Sequence, residues 1–283
     1  MPLDCSIEQS KGTYYWGRMD EVTGWARARG LRILANVSYT PAWARPSSCG
    51  DMMCPPADMD DYAAFMGKLV AHYSPLGVKH FEVWNEPNQH FWWKPNPNPV
   101  RYAEMLRKAF VKANQADPNV TIVAGAMALA RDNEAGTSQN PRTFLTGMYR
   151  AGASGSFDAL SYHPYTGTED PRALNEWSPL GGVGPDLHTI MAANGDADLK
   201  IWGTEFAYST GRHSKSVSEA EQAQLLRLAF AVWQAKPWAG PLFLFTYRDM
   251  GTDQSVNSEN YGLVKRDFTP KQALVAVRQE LLG

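Results

Sequence analysis

The chain has 283 residues, 44% of them hydrophobic and 20% charged, with a formal net charge of −2. This composition is ordinary for a globular fold. The weak charge and scattered basic residues give no electrostatic case for binding nucleic acid or an anionic membrane surface. No apolar run reaches the ~20 residues needed to span a bilayer.

In chain order, residues 16–29 predict a helix with Met19, Val22, Trp25 and Ala26 as its apolar positions, ending at Gly30, a residue suited to the position just past a helix. Leu31–Ser38 (LRILANVS) reads as a buried strand. A Pro-rich loop leads to a helix over Met59–Tyr73 and then to strand Lys79–Trp84 (KHFEVW). Helix Pro99–Asp117 aligns Tyr102, Leu106, Ala109, Phe110 and Ala113 on one stripe, and strand Val120–Gly125 follows. Three more pairs complete the pattern: helix Pro141–Ala151 with strand Phe157–Tyr162, helix Val183–Ala193 with strand Leu199–Gly203, and helix Ser218–Ala235 with strand Pro241–Thr246. Ser218 and Glu221 form a capping box at the start of the last of these helices. A helix over Pro270–Leu282 ends the chain. Such alternation predicts an α/β fold with a parallel sheet. No internal repeat or low-complexity linker divides it, so a single domain over residues 1–283 is expected. The pattern does not separate a barrel from a doubly wound sheet. The lack of a G-x-G-x-x-G turn or a P-loop counts against a nucleotide-binding version.

The three cysteines, Cys5, Cys49 and Cys54, are an odd number, which argues against a fully paired disulfide framework. Cys49 and Cys54 share a Pro/Gly-rich loop and are able to pair in an oxidising compartment. No histidine joins them at a zinc spacing, so no metal and no cofactor is expected. The segment MPLDCSIEQSKG lacks the basic and apolar regions of a signal peptide. The expected localisation is nonetheless secreted or extracellular.

In a parallel barrel the reactive groups stand at the C-terminal ends of the strands. Here the strand ends carry Asn85-Glu86-Pro87-Asn88, His163-Pro164-Tyr165, Thr204-Glu205-Phe206 and Tyr247-Arg248-Asp249. Two carboxylates at the ends of buried strands are what glycosidic cleavage needs: one protonates the leaving oxygen, and the other attacks the anomeric carbon or activates water. A buried apolar strand seldom ends in an unpaired carboxylate without a reason.

Trp84-Asn85-Glu86-Pro87-Asn88 resembles the acid/base signature of clan A glycoside hydrolases, and of family 39 in particular. The stretch Ile7-Glu8-Gln9-Ser10-Lys11-Gly12, the stretch Tyr39-Thr40-Pro41-Ala42-Trp43-Ala44, and the ends His163-Pro164-Tyr165 and Thr204-Glu205-Phe206 are similar to those after strands 2, 3, 6 and 7 of that family. The resemblance implies an α/β fold of the (β/α)8 TIM-type barrel, lacking strand 1, helix 1 and most of strand 2. It implies a retaining mechanism with Glu86 as general acid/base and Glu205 as nucleophile. Asn85 would hold the 2-hydroxyl of the sugar, and Tyr165, beside His163, would position Glu205. Trp43, Trp92, Trp93 and Tyr247 are candidate sugar platforms, with Trp177 and Tyr208 as weaker ones, while Arg248 and Asp249 also read as a structural pair. The expected partner is an oligo- or polysaccharide cleaved in endo fashion. The alternative is a catalytically impaired carbohydrate-binding protein on the same barrel. An incomplete barrel would expose strand edges and favour self-association.

Overall fold

The structure, a computed structural model, describes residues 7–172 and 185–282. Its strands are β1 (Leu34–Val37), β2 (His80–Val83), β3 (Thr121–Ala128), β4 (Ala159–His163), β5 (Lys200–Phe206) and β6 (Ala239–Leu244). Its helices are α1 (Gly17–Arg27), α2 (Met59–Tyr73), α3 (Pro99–Ala116), α4 (Pro141–Arg150), α5 (Leu187–Ala193), α6 (Glu219–Gln234) and α7 (Gln272–Leu282). Sheet order follows chain order, β1-β2-β3-β4-β5-β6. That sequence of neighbours lacks the reversal of a doubly wound sheet and is the order of a (β/α) barrel. The chain divides into two compact units, Met1–Ser161 with Leu187–Leu199, and Tyr162–Asp186 with Lys200–Gly283.

In the first unit β1, β2 and β3 pair in parallel, with Val37 opposite Val83 and Val83 opposite Ala124. The expected start of β1 is corrected by three residues. Gly30 takes φ +67°, and the Leu31 N–H donates to Ala26 O at 3.0 Å, so Leu31 closes α1 instead of opening a strand. On α2 the buried residues include Tyr62, Phe65, Met66, Leu69 and Tyr73. Two helix tyrosines serve the strands directly. Tyr62 donates its hydroxyl to Val37 O at 2.7 Å, and Tyr102 donates to Val83 O at 2.8 Å. Tyr102 thus reaches the last carbonyl of β2, and Tyr62 adds a second bond to the last carbonyl of β1, which also accepts the Trp84 N–H. Burial pushes the Tyr102 phenol well above its usual acid range, so it stays a donor. Mid-strand Glu82, only 3% exposed, accepts from Asn36 Nδ2 of β1 at 2.7 Å. Cys49 and Cys54 are joined as a disulfide.

In the second unit β5 pairs in parallel with β6. The capping box at Ser218 is formed: Glu221 N–H donates to Ser218 Oγ, and the Ser218 N–H donates back to the Glu221 carboxylate. The unit's deepest ion pair was not expected. Asp249 is paired with Lys271 at 2.7 Å, both nearly inaccessible, and the Lys271 ammonium also reaches Thr210 Oγ1 and Asn260 O. Arg248 instead lies over the Phe268 ring, 4.5 Å from its centroid. Asp249 accepts a further bond from the Gly262 N–H at 2.7 Å. A Cβ at Gly262 would overlap the Asp249 nitrogen and the Val264 oxygen, so only glycine fits this approach.

A buried pair is held by mutual need, since removing one member strands the other's charge. Lys271→Ala should therefore destabilise the protein by about 3–5 kcal/mol, read from the shift in urea midpoint. A midpoint unchanged from the parent would show that Asp249 does not depend on this partner.

Candidate functional site

Each unit carries one of the two glutamates, and each surround is built by local geometry. In the first unit, Trp84 leaves β2 at φ +72° and Glu86 follows at φ +43°. Such angles are strained for residues with side chains, by roughly 1–3 kcal/mol each, and persist only where neighbours enforce them. The neighbours are identifiable. Trp84 is fully buried; its N–H donates to Val37 O at 2.9 Å and its indole Nε1 to Trp92 O at 2.7 Å. The Glu86 N–H donates to Ala126 O at 2.9 Å. Asn88, also fully buried, clamps the turn to the end of β3: its Nδ2 donates to Ala128 O and Gln139 O, each at 2.9 Å, and its Oδ1 accepts from Ala128 N at 2.8 Å. The W-N-E-P-N stretch thus divides its work. Trp84 and Asn88 anchor the turn, and half-buried Asn85 and Glu86 lie between them.

Other rim positions of this unit share the strain. Tyr39, just past β1, has φ +73°, and Ala126 has φ +47°. The Tyr39 ring stacks on Trp92, centroids 6.0 Å apart, and meets Trp84 edge-on at the same distance. Half-buried Trp43 donates its Nε1 to Glu8 O at 3.0 Å, with the Lys11 ammonium 5.4 Å from its ring. Glu8 is itself 5% exposed, and burial raises its carboxyl above the usual range, opposed by bonds from the Gly12 N–H and Tyr14. Trp93 is a correction. It is 1% exposed, edge-on to Trp84 and Tyr102, and belongs to the core. Its neighbour Trp92 stays half-buried.

In the second unit, Glu205 stands near the end of β5. Tyr165 donates its hydroxyl to Glu205 Oε2 at 3.0 Å, and His163 Nδ1 lies 3.7 Å from the same oxygen. His163 is 1% exposed, so it faces the carboxylate rather than open solvent. The loop after β4 is tied to the continuation of β5 through Thr166, whose Oγ1 donates to Tyr208 OH at 2.8 Å. Tyr208 is fully buried in that tie and is not a platform. Tyr247 is 55% exposed. Trp177 lies outside the described residues. Tyr261 is absent from the candidates the sequence offers, and Tyr39 enters there only as part of the Tyr39–Ala44 stretch. The Tyr261 ring lies 5.9 Å from that of Tyr165, in a loop without periodicity to mark it.

The structure-wide likeness to known proteins is clear although the sequence likeness is low. The chain superposes on a family 39 glycoside hydrolase from the gut symbiont Bacteroides cellulosilyticus WH2 with a TM-score of 0.77 and 22% identity, over 98% of this chain and 56% of that one. A monomeric β-xylosidase from Caulobacter crescentus CB15 gives a TM-score of 0.67 and 19% identity, over 99% of this chain and 59% of that one. The fold is that of glycoside hydrolases. Fungal β-1,4-galactanases share it at a TM-score of 0.66 and 14% identity, over 95% of this chain and 84% of that one. No protein-family profile and no curated protein sequence matches the chain. It spans little more than half the length of the Bacteroides protein. Among the described residues, no group of three or more His, Cys, Asp or Glu is arranged to hold a metal ion, and no helix is long and apolar enough to cross a membrane.

Asn88→Ala deletes one acceptor and two donors in a dry turn, leaving three backbone groups unpaired. Its expected cost is about 2–4 kcal/mol, since each stranded buried group costs roughly 1–3 kcal/mol and the turn relaxes in part. Asn88→Asp should also destabilise, because a carboxylate has no hydrogens for Ala128 O and Gln139 O. Equal urea midpoints for the parent and both variants would refute the clamp.

Proposed function

We propose that the protein is a retaining glycoside hydrolase acting on an oligo- or polysaccharide. Glu205 is its nucleophile and Glu86 its general acid/base. The observation that carries the reading is the Glu205 carboxylate at a strand end, fixed by the Tyr165 hydroxyl at 3.0 Å on a fold shared with glycosidases. A carboxylate oriented by such a hydrogen bond is poised to attack the anomeric carbon. In the first step the Glu205 carboxylate bonds to the anomeric carbon while the glycosidic bond breaks, and the leaving oxygen takes the proton of Glu86. In the second, water attacks that carbon, its proton passes to Glu86, and the Glu205 ester bond breaks. Asn85, next to Glu86, holds the sugar 2-hydroxyl.

Trp43, Trp92 and Tyr247 are the sugar platforms. Exposed Phe91 in the same loop as half-buried Trp92 supports endo action. A β-linked substrate fits the β-specific activities of the xylosidase and galactanase neighbours. The Cys49–Cys54 disulfide supports a secreted or extracellular location.

The test uses 2,4-dinitrophenyl β-xyloside, β-glucoside and β-galactoside, with NMR of the first-formed sugar. The parent should release product with retained configuration from at least one of them. Glu205→Gln should abolish this. Glu86→Ala should slow turnover by roughly 10²–10⁴-fold, the usual worth of a general acid/base, and added azide should restore it by forming the β-glycosyl azide. Full activity in Glu205→Gln, or an inverted product, would sink the assignment.

A further inference from the structure

The Glu205 surround contains a second phenol that the mechanism above does not use. Tyr261 is half-buried, with its ring against Tyr165 at 5.9 Å and edge-on to Phe245 at 6.0 Å. Burial raises its acid range; the Asn257 bond opposes this, and the charge of Glu205 raises it further, which puts the two groups within electrostatic reach. Its hydroxyl oxygen accepts from Asn257 Nδ2 at 2.7 Å.

The orientation of Asn257 decides what the phenol has left to offer. Ser216 Oγ donates to Asn257 Oδ1 at 3.2 Å, and Ser209 Oγ donates to Asn257 O at 2.9 Å. The amide therefore turns its hydrogens toward Tyr261. The next residues are equally fixed. Asn260 is fully buried, donates to Asp253 O and Val256 O at 2.8 Å each, and accepts from Gln254 Nε2. Its own carbonyl receives the Lys271 ammonium at 3.1 Å. Tyr261 is thus held from both sides with its acceptor role filled. A phenol has one proton to give, and this one is committed to no protein acceptor among the described residues.

We propose that Tyr261 is a substrate-binding residue of the nucleophile's surround, donating its proton to an oxygen of the glycosyl unit bonded to Glu205, with Asn257 enforcing the direction of that donation. This rests on the reading of Glu205 as nucleophile and adds the group that grips the sugar while it is attached. The phenol's proton does not transfer; it is shared in a hydrogen bond.

The experiment uses the full chain and the aryl glycoside it cleaves fastest among the three named above, with its 2-deoxy-2-fluoro counterpart as a trap followed by intact-protein mass spectrometry. Wild-type protein should gain one fluoroglycosyl group, mapped to Glu205 by peptide analysis. Tyr261→Phe should lower kcat/KM about 10–100-fold, as expected for losing one hydrogen bond to substrate, and should slow trapping equally, with an unchanged urea midpoint. The decisive variant is Asn257→Asp. It keeps the Tyr261 hydroxyl but offers it an acceptor, which diverts the proton, so its loss should match that of Tyr261→Phe. Wild-type kinetics in Tyr261→Phe, or an Asn257→Asp variant as active as the parent, would overturn the proposal while Glu205 labelling stands. Wild-type protein that is neither active nor labelled would overturn the glycosidase reading itself, and this one with it.

Discussion

Parallel pairing in register is the constraint on which the first unit depends. With Val37 opposite Val83 and Val83 opposite Ala124, β1 and β2 end at one level while β3 runs on to Ala128. The first two strands must turn away there, and the turning residues come together by geometry rather than by sequence proximity. Their carbonyls and amides still need partners in a dry environment. Tyr62, Tyr102 and Asn88 supply them from helices and from the turn itself. These side-chain bonds are what stiffens the rim.

Chemistry follows from that stiffness. A carboxylate that must reach a chosen atom does so best from backbone that has no alternative conformation. Around Glu86 the left-handed angles of Trp84 and Glu86 are enforced by a tryptophan anchored through its backbone N–H and its indole Nε1. Around Glu205 the strand runs on to Phe206 through register shifts on either side of Gly203, and orientation comes from side chains: the Tyr165 hydroxyl, the His163 ring and, against Tyr165, the Tyr261 ring. Strained backbone and braced side chain are two routes to one result, a carboxylate fixed in direction.

What the sequence made legible was the part governed by local rules. The helix over Met59–Tyr73 and the Ser218–Glu221 box are where spacing and capping put them. Strands were read within a few residues, and their errors have local causes, as where Leu31 closes a helix. The strand-end glutamates were visible because an acidic residue after an apolar run is a local anomaly. Pairings across many residues were not visible. Asp249 finds Lys271 rather than its neighbour Arg248, and Tyr261 matters only through rings far away in sequence. Trp92 and Trp93 look alike in the chain and part only when the core claims one of them. Glu82 sits in a strand that reads as apolar, and its partner Asn36 comes from another strand.

The left-handed residues at the rim have an evolutionary side. Tyr39, Trp84, Glu86 and Ala126 each hold backbone that glycine would adopt without strain. A laboratory selection for heat resistance alone would be drawn to the half-buried Tyr39 and Glu86 of this set, because relieving strain is among the simplest ways to stabilise a fold, whereas loss of the fully buried Trp84 ring would open a cavity. Each replacement at Tyr39, Trp84 or Glu86 would also remove a ring or a carboxylate from the rim. Heat-resistant descendants chosen without an activity screen should therefore drift toward a quiet scaffold, whereas those kept active must collect their stabilising changes elsewhere, on helix surfaces and loops remote from the strand ends.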